Sequence, residues 1–147
     1  MKNLANCTPS EFIKQTVRLK DAVPKWLQTT EILKIRATKP KLIAVPKGAT
    51  KDEKEEITRE NSENMRKQAI ENLSMMIDKM FAEHPQETLE VLALSCFVEP
   101  ENVDNYTMDD YFCCLEEMAQ AKSVVNFFSL LAQREMLQKS TYEVYPR

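Results

Sequence analysis

The chain has 147 residues, a formal net charge of −3 and a single glycine, Gly48. That length is about one domain with one sizeable core. One glycine, against about 7% in ordinary chains, leaves almost no tight hairpins or bulges and excludes glycine-rich phosphate loops of the Rossmann or P-loop kind. With few alternating β-branched runs, the expected fold is all-α. No run approaches the ~18 apolar residues of a membrane span. The opening MKNLANCTPSEF has no apolar signal core, so a cytoplasmic protein with no membrane contact is expected. Cys7, Cys96, Cys113 and Cys114 show no CxxC spacing, and His84 is the lone histidine, which argues against a zinc site. Residues 1–51 carry a net +8 and the remainder −11. A basic third of this kind supports an alternative reading, a small helical nucleic-acid-binding regulator.

In chain order, Thr8-Pro9-Ser10-Glu11 reads as an N-cap with its capping-box acid. Phe12, Ile13, Thr16, Val17 and Leu19 give the helix that follows an apolar face. Pro24 is expected to interrupt it and open a second short helix carrying Trp26 and Leu27. Ile32, Leu33 and Ile35 extend the stripe to about Arg36. Lys39 to Gly48, with two prolines, is a connector that Leu42, Ile43 and Val45 would pin to the core.

Thr50 and Glu53 form a second capping box, and no Pro or Gly follows before Glu83, so one helix of about 50 Å is expected. Its first half has only Ile57 as an apolar residue and would project into water. Its second half, with Met65, Ala69, Ile70, Leu73, Met76, Ile77, Met80 and Phe81, is expected to pack as core. A peptide-binding groove is the alternative for its methionines. His84-Pro85 ends that helix, which makes His84 a junction residue.

Leu89 to Val98 is apolar on nearly every side and should be a buried helix, with Cys96 as a small core residue. Thr107, with Asp110 at the capping-box position, starts another. Its expected inner face is Met108, Tyr111, Phe112, Leu115, Met118 and Ala119, with Cys113 outside. Asp109-Asp110 suit a helix N-terminus, and Glu116-Glu117 face solvent. Val124, Phe127, Phe128 and Leu131 form the core face of a last helix. The expected organisation is one domain, 1–147: basic helices 1–38, connector 39–49, long helix 50–83, three-helix core 84–138 and tail 139–147. Together these make about six helices. No catalytic, cofactor or metal-binding residues are expected.

Several word patterns carry a resemblance: Glu87-Thr88-Leu89-Glu90, Leu92-Ala93-Leu94, Cys96-Phe97-Val98, Pro100-Glu101 and Val103-Asp104. Val125 with Phe127-Phe128 and Ser129-Leu130 adds to these, as do Pro9-Ser10-Glu11-Phe12 and Val45-Pro46-Lys47. The second half, closely over 84–133, resembles tail assembly chaperones of tailed phages and prophages of Gram-positive bacteria. Cys113-Cys114 and Ala119-Gln120-Ala121-Lys122 depart from that pattern. The resemblance implies a non-enzymatic protein that binds the long helical tape-measure protein until tail tube subunits replace it. The oligomeric state stays open, with a homo-oligomer among the alternatives. Apolar flanks of the last helix and the tail make Val125, Leu130, Leu137, Tyr142 and Tyr145 the expected partner-binding residues.

Overall fold

The computed structural model describes residues 1–131 and 133. All regular structure among them is helical: α1 (Pro9–Thr30), α2 (Ile32–Ala37), α3 (Lys51–Ile77), α4 (Pro85–Ser95), α5 (Met108–Gln120) and α6 over residues 122–131. A π-helical turn, Asp78–Glu83, prolongs α3, and a 3-10 segment, Pro100–Asn105, precedes α5. No described helix is long and apolar enough to cross a membrane. The chain divides into two compact units, one of 1–22 with 89–147 and one of 23–88.

Three N-termini are built as the sequence predicts. At each of Thr8, Thr50 and Thr107 the hydroxyl accepts from the backbone N–H three residues on, and the acid there accepts from the threonine N–H. Each box satisfies two amide donors that a helix start otherwise leaves bare.

In the first unit the core is Ala93, Cys96, Val98, Tyr111 and Cys114, with Leu92, Val103 and Leu115 packed on it. Helix α4 stops at Ser95, short of the predicted Val98. The N–H of Val98 donates to the Ala93 carbonyl and that of Phe97 to the Leu94 carbonyl, with Phe97 left-handed at φ 56°. This is a Schellman closure with phenylalanine where glycine is usual. The apolar contact between Val98 and the last turn holds it, and the buried Gln15 side chain donates its Nε2–H to the same Leu94 carbonyl. Helix α5 is rotated from the expected face. Tyr111 and Cys114 are buried and Leu115 and Met118 half-buried, whereas Met108, Phe112 and Ala119 are exposed. Tyr111 and Cys114 join the core on that face, and the Tyr111 hydroxyl donates to the Val103 carbonyl at 2.7 Å. Cys113 is exposed and Cys96 buried, as the sequence predicts. The N-terminal strap is fixed by fully buried Asn3, whose Oδ1 accepts from the Ala5 N–H (2.8 Å) and whose Nδ2 donates to Glu117 (3.1 Å).

The second unit departs further from expectation. Helix α1 runs through Pro24, despite a typical cost of ~3 kcal/mol for an interior proline. The break falls instead at Glu31, which is left-handed at φ 53°. The turn between Pro24 and that break is anchored: Thr30 is fully buried and donates to the Trp26 carbonyl, and Trp26 donates its indole N–H to Thr88 Oγ1 at 3.0 Å. Thr88 closes a second gap. In the π turn the carbonyl of Met80 would pair with residue 85, but Pro85 has no N–H, and the Thr88 hydroxyl lies 2.8 Å from that carbonyl. Replacing Thr88 by Val, an isosteric change, should leave the indole N–H and the Met80 carbonyl without a partner. The expected loss is about 1–3 kcal/mol, with a shifted emission spectrum of this single tryptophan; serine should restore both.

The connector is held by amides, not by its apolar residues. Ile43 donates to Asn61 Oδ1 (2.8 Å) and its carbonyl accepts from Asn61 Nδ2 (3.0 Å), while buried Asn72 donates to the Thr38 carbonyl and accepts from Gln68. Leu42, Ile43 and Val45 remain exposed. Helix α3 therefore turns a polar face, Asn61, Gln68 and Asn72, toward its own chain. The expected core residues Ile70, Leu73, Ile77 and Phe81 keep 44–62% of their surface in water, and Met65 and Met75 are exposed too. Only Met76 and Met80 of the predicted stripe are half-buried.

Candidate functional site

Several of the polar groups that the sequence singles out have partners within the fold. His84 sits at the helix junction, with Nδ1 3.8 Å from Glu87. Asp110 is held below its ordinary value by the Thr107 backbone N–H and hydroxyl. Burial pushes the Cys96 thiol well above its ordinary range, with Cys114 beside it adding to the effect, so neither pattern nor environment favours a thiolate there. Among the described residues no group of three His, Cys, Asp or Glu could hold a metal ion. In the basic third, Arg18 makes a two-pronged pair with Glu99, both bonds 2.8 Å, and Lys2 pairs with Glu11.

These pairs carry a pH dependence. Hydrogen bonds from Lys2 and from the Thr8 backbone lower the Glu11 carboxyl from 4.5 to about 2, and Arg18 lowers that of Glu99. A carboxyl whose folded pKa lies below its unfolded value stabilises the fold above the unfolded pKa and ceases to do so as pH falls through the folded one. Stability of the first unit should therefore be level from neutral pH to about 5 and decline between about 4.5 and 2. In a series of thermal melts, Glu11→Gln should reduce the slope across that window.

What remains open in the first unit is apolar surface. Phe12 of α1 meets α6, with ring centroids 6.2 Å from Phe127 and 6.3 Å from Phe128. Phe127 and Phe128 themselves meet edge to face at 5.3 Å. These three rings are neighbours, yet Phe127 and Phe128 keep 47% and 39% of their surface in water. Beside them lies a depression of about 410 Å³, floored by Leu115 and Met118 of α5 and walled by Val124, Val125 and Phe128, with Leu4 at its edge. A shallower apolar hollow on the other side is lined by Phe12, Ser123, Val124 and Phe127.

The structure thus corrects the reading of α6. Its predicted core face is mostly outside: of Val124, Phe127, Phe128 and Leu131, only Val124 is half-buried. Among the described residues the first unit's buried cluster is built from α4, α5 and the residues beside them, with no member from α6. Val125, named from sequence as a partner-binding residue, lines the depression; Leu130 is exposed but lines neither hollow. Leu137, Tyr142 and Tyr145 lie outside the described residues. Sequence reading missed Leu4, Phe12, Leu115 and Met118 as parts of this surface. Periodicity marked the last three as apolar faces but could not say that the faces stay partly open.

Comparison with protein-family models, with curated proteins and with solved structures finds no match for this chain.

Proposed function

We propose that this chain is a non-enzymatic assembly chaperone, which holds an amphipathic helix of a client protein on the apolar surface formed by Phe12, α5 and α6. The observation that carries the reading is that surface: three mutually packed phenylalanine rings, two of them exposed, beside an apolar depression. An amphipathic helix docks in such a place by setting residues at i, i+3, i+4 and i+7 into the hollows. Aromatic residues at the centre of an interface carry a large share of its binding energy.

The word patterns over residues 84–133 narrow the client. In this reading the chain is a tail assembly chaperone of a tailed phage or prophage, the client is its tape-measure protein, and the site of action is the cytoplasm of the bacterial host. The helical client would stay soluble until tail tube subunits take its place.

The test is co-expression with the tape-measure protein, whose gene should lie nearby with that of the tail tube, followed by affinity purification. The expected result is a soluble complex that forms only when both chains are present. A tape-measure protein that aggregates equally with and without this chain, and never co-purifies with it, would overturn the reading.

A further inference from the structure

Helix α3 uses its sides in reverse. Asn61 bonds Ile43 of the connector, Asn72 bonds Thr38 and Gln68, and the apolar residues Ile70, Leu73, Ile77 and Phe81 are exposed. Their spacing of three, four and four residues places all four on one side of a helix. Going back toward the N-terminus, the same side continues as Arg66, Glu63, Arg59 and Glu56, all exposed. The stripe therefore has an apolar half and a charged half. With a fully exposed large side chain at roughly 150–250 Å², the apolar half leaves on the order of 400 Å² uncovered, which is as large as the biggest patch on an ordinary monomer.

We infer that the occupant of this stripe is a second copy of the chain, paired antiparallel about a two-fold axis midway between Leu73 and Ile77. In that register Leu73 meets the partner's Ile77 and Ile70 meets the partner's Phe81, so the apolar half is its own complement, as an isologous interface requires. With the stems of Arg66, Lys67 and Asp78 at its rim, each copy contributes on the order of 600–800 Å², near the size of a stable interface. The charged half selects the direction. Parallel pairing would stack Glu63 on Glu63 and Arg66 on Arg66 of the other copy, whereas the antiparallel register leaves Glu63 beyond the overlap and Arg66 at its edge, each far from its counterpart. A second antiparallel register, centred near residue 61, would set Glu56 against Arg66 and Arg59 against Glu63. Exposed ion pairs are weak, and that register would leave the apolar half uncovered.

The inference is independent of the chaperone reading, since it concerns a different helix and needs no client. Sedimentation equilibrium of the full chain should give twice the 17.1 kDa chain mass. Leu73→Asp with Ile77→Asp should weaken association at least a hundredfold and halve the mass. Circular dichroism should be unchanged, because both residues are already exposed. Direction is read by oxidation in a Cys113→Ser background: Ser74→Cys, next to the axis, should cross-link into a covalent dimer, and Arg59→Cys should not. A monomer at high micromolar concentration would overturn the inference, as would a dimer that survives the double substitution. Cross-linking through Arg59→Cys, the sign of parallel pairing, would overturn it too.

Discussion

Replacing Tyr111 by alanine should cost about 3–5 kcal/mol, the range for removing a buried aromatic side chain, and leave the first unit at or below the edge of stability. Tyr111 is the largest fully buried side chain there, set among Ala93, Cys96, Val98 and Cys114. None of those neighbours is large enough to collapse into the space it would vacate. The hydroxyl adds a second loss, because the Val103 carbonyl it serves sits at the 3-10 segment. Tyr111→Phe separates the two effects. It keeps the ring, leaves the carbonyl unpaired, and should cost about 1–2 kcal/mol. Urea titrations of the two variants followed by circular dichroism would check the order. A Tyr111→Ala protein as stable as the parent would mean that the core lies elsewhere.

Placing negative charge on the open surface should do the opposite, removing capture while sparing the fold. Val125 and Phe128 stand on α6 at the wall of the depression, 47% and 39% exposed. Glutamate at both positions sets two carboxylates where an apolar helix face would dock. Central interface residues typically contribute ~2 kcal/mol or more each, and 1.4 kcal/mol is a factor of ten, so capture should fall at least ~100-fold. Neither side chain belongs to the buried core cluster, so the melting temperature should fall far less than in Tyr111→Ala. Affinity purification of client with the parent and the double variant, alongside thermal melts, measures both. Equal loss of folding and capture would show that α6 is a core element after all.

Much of the local architecture was legible in the sequence, because it depends on neighbours along the chain. The three threonine boxes, the stop at His84-Pro85 and the all-α class follow from residue types at fixed short offsets. Burial was less legible, because it depends on which helix meets which. The stripe Ile70, Leu73, Ile77 and Phe81 has the periodicity of a core face, but Asn61 and Asn72 on the opposite side bond Ile43 and Thr38, and the stripe is left outward. Pro24 reads as a break, but the chain bends only at Glu31, after Trp26 is anchored to Thr88 from outside its helix and Thr30 is fully buried. In α5 the inner face is Tyr111, Cys114, Leu115 and Met118, an apolar repeat as regular as the expected one, so periodicity alone could not choose between them. The candidate surface was legible in part. Val125 was found as a flank of α6, but Phe127 and Phe128 read as core, since a pair of phenylalanines at helical spacing is usually buried. Only their exposure, 47% and 39% even with Phe12 packed against both, reveals that they are not.

Hydrogen exchange of the full chain, measured by mass spectrometry with and without a tape-measure segment, tests the central proposal most directly. Client binding at the surface of α5 and α6 should slow exchange in peptides covering Phe12 and residues 115–131, and leave residues 66–81 unchanged. Protection confined to 66–81 or to the basic lysines of the first third, with none over α6, would contradict it.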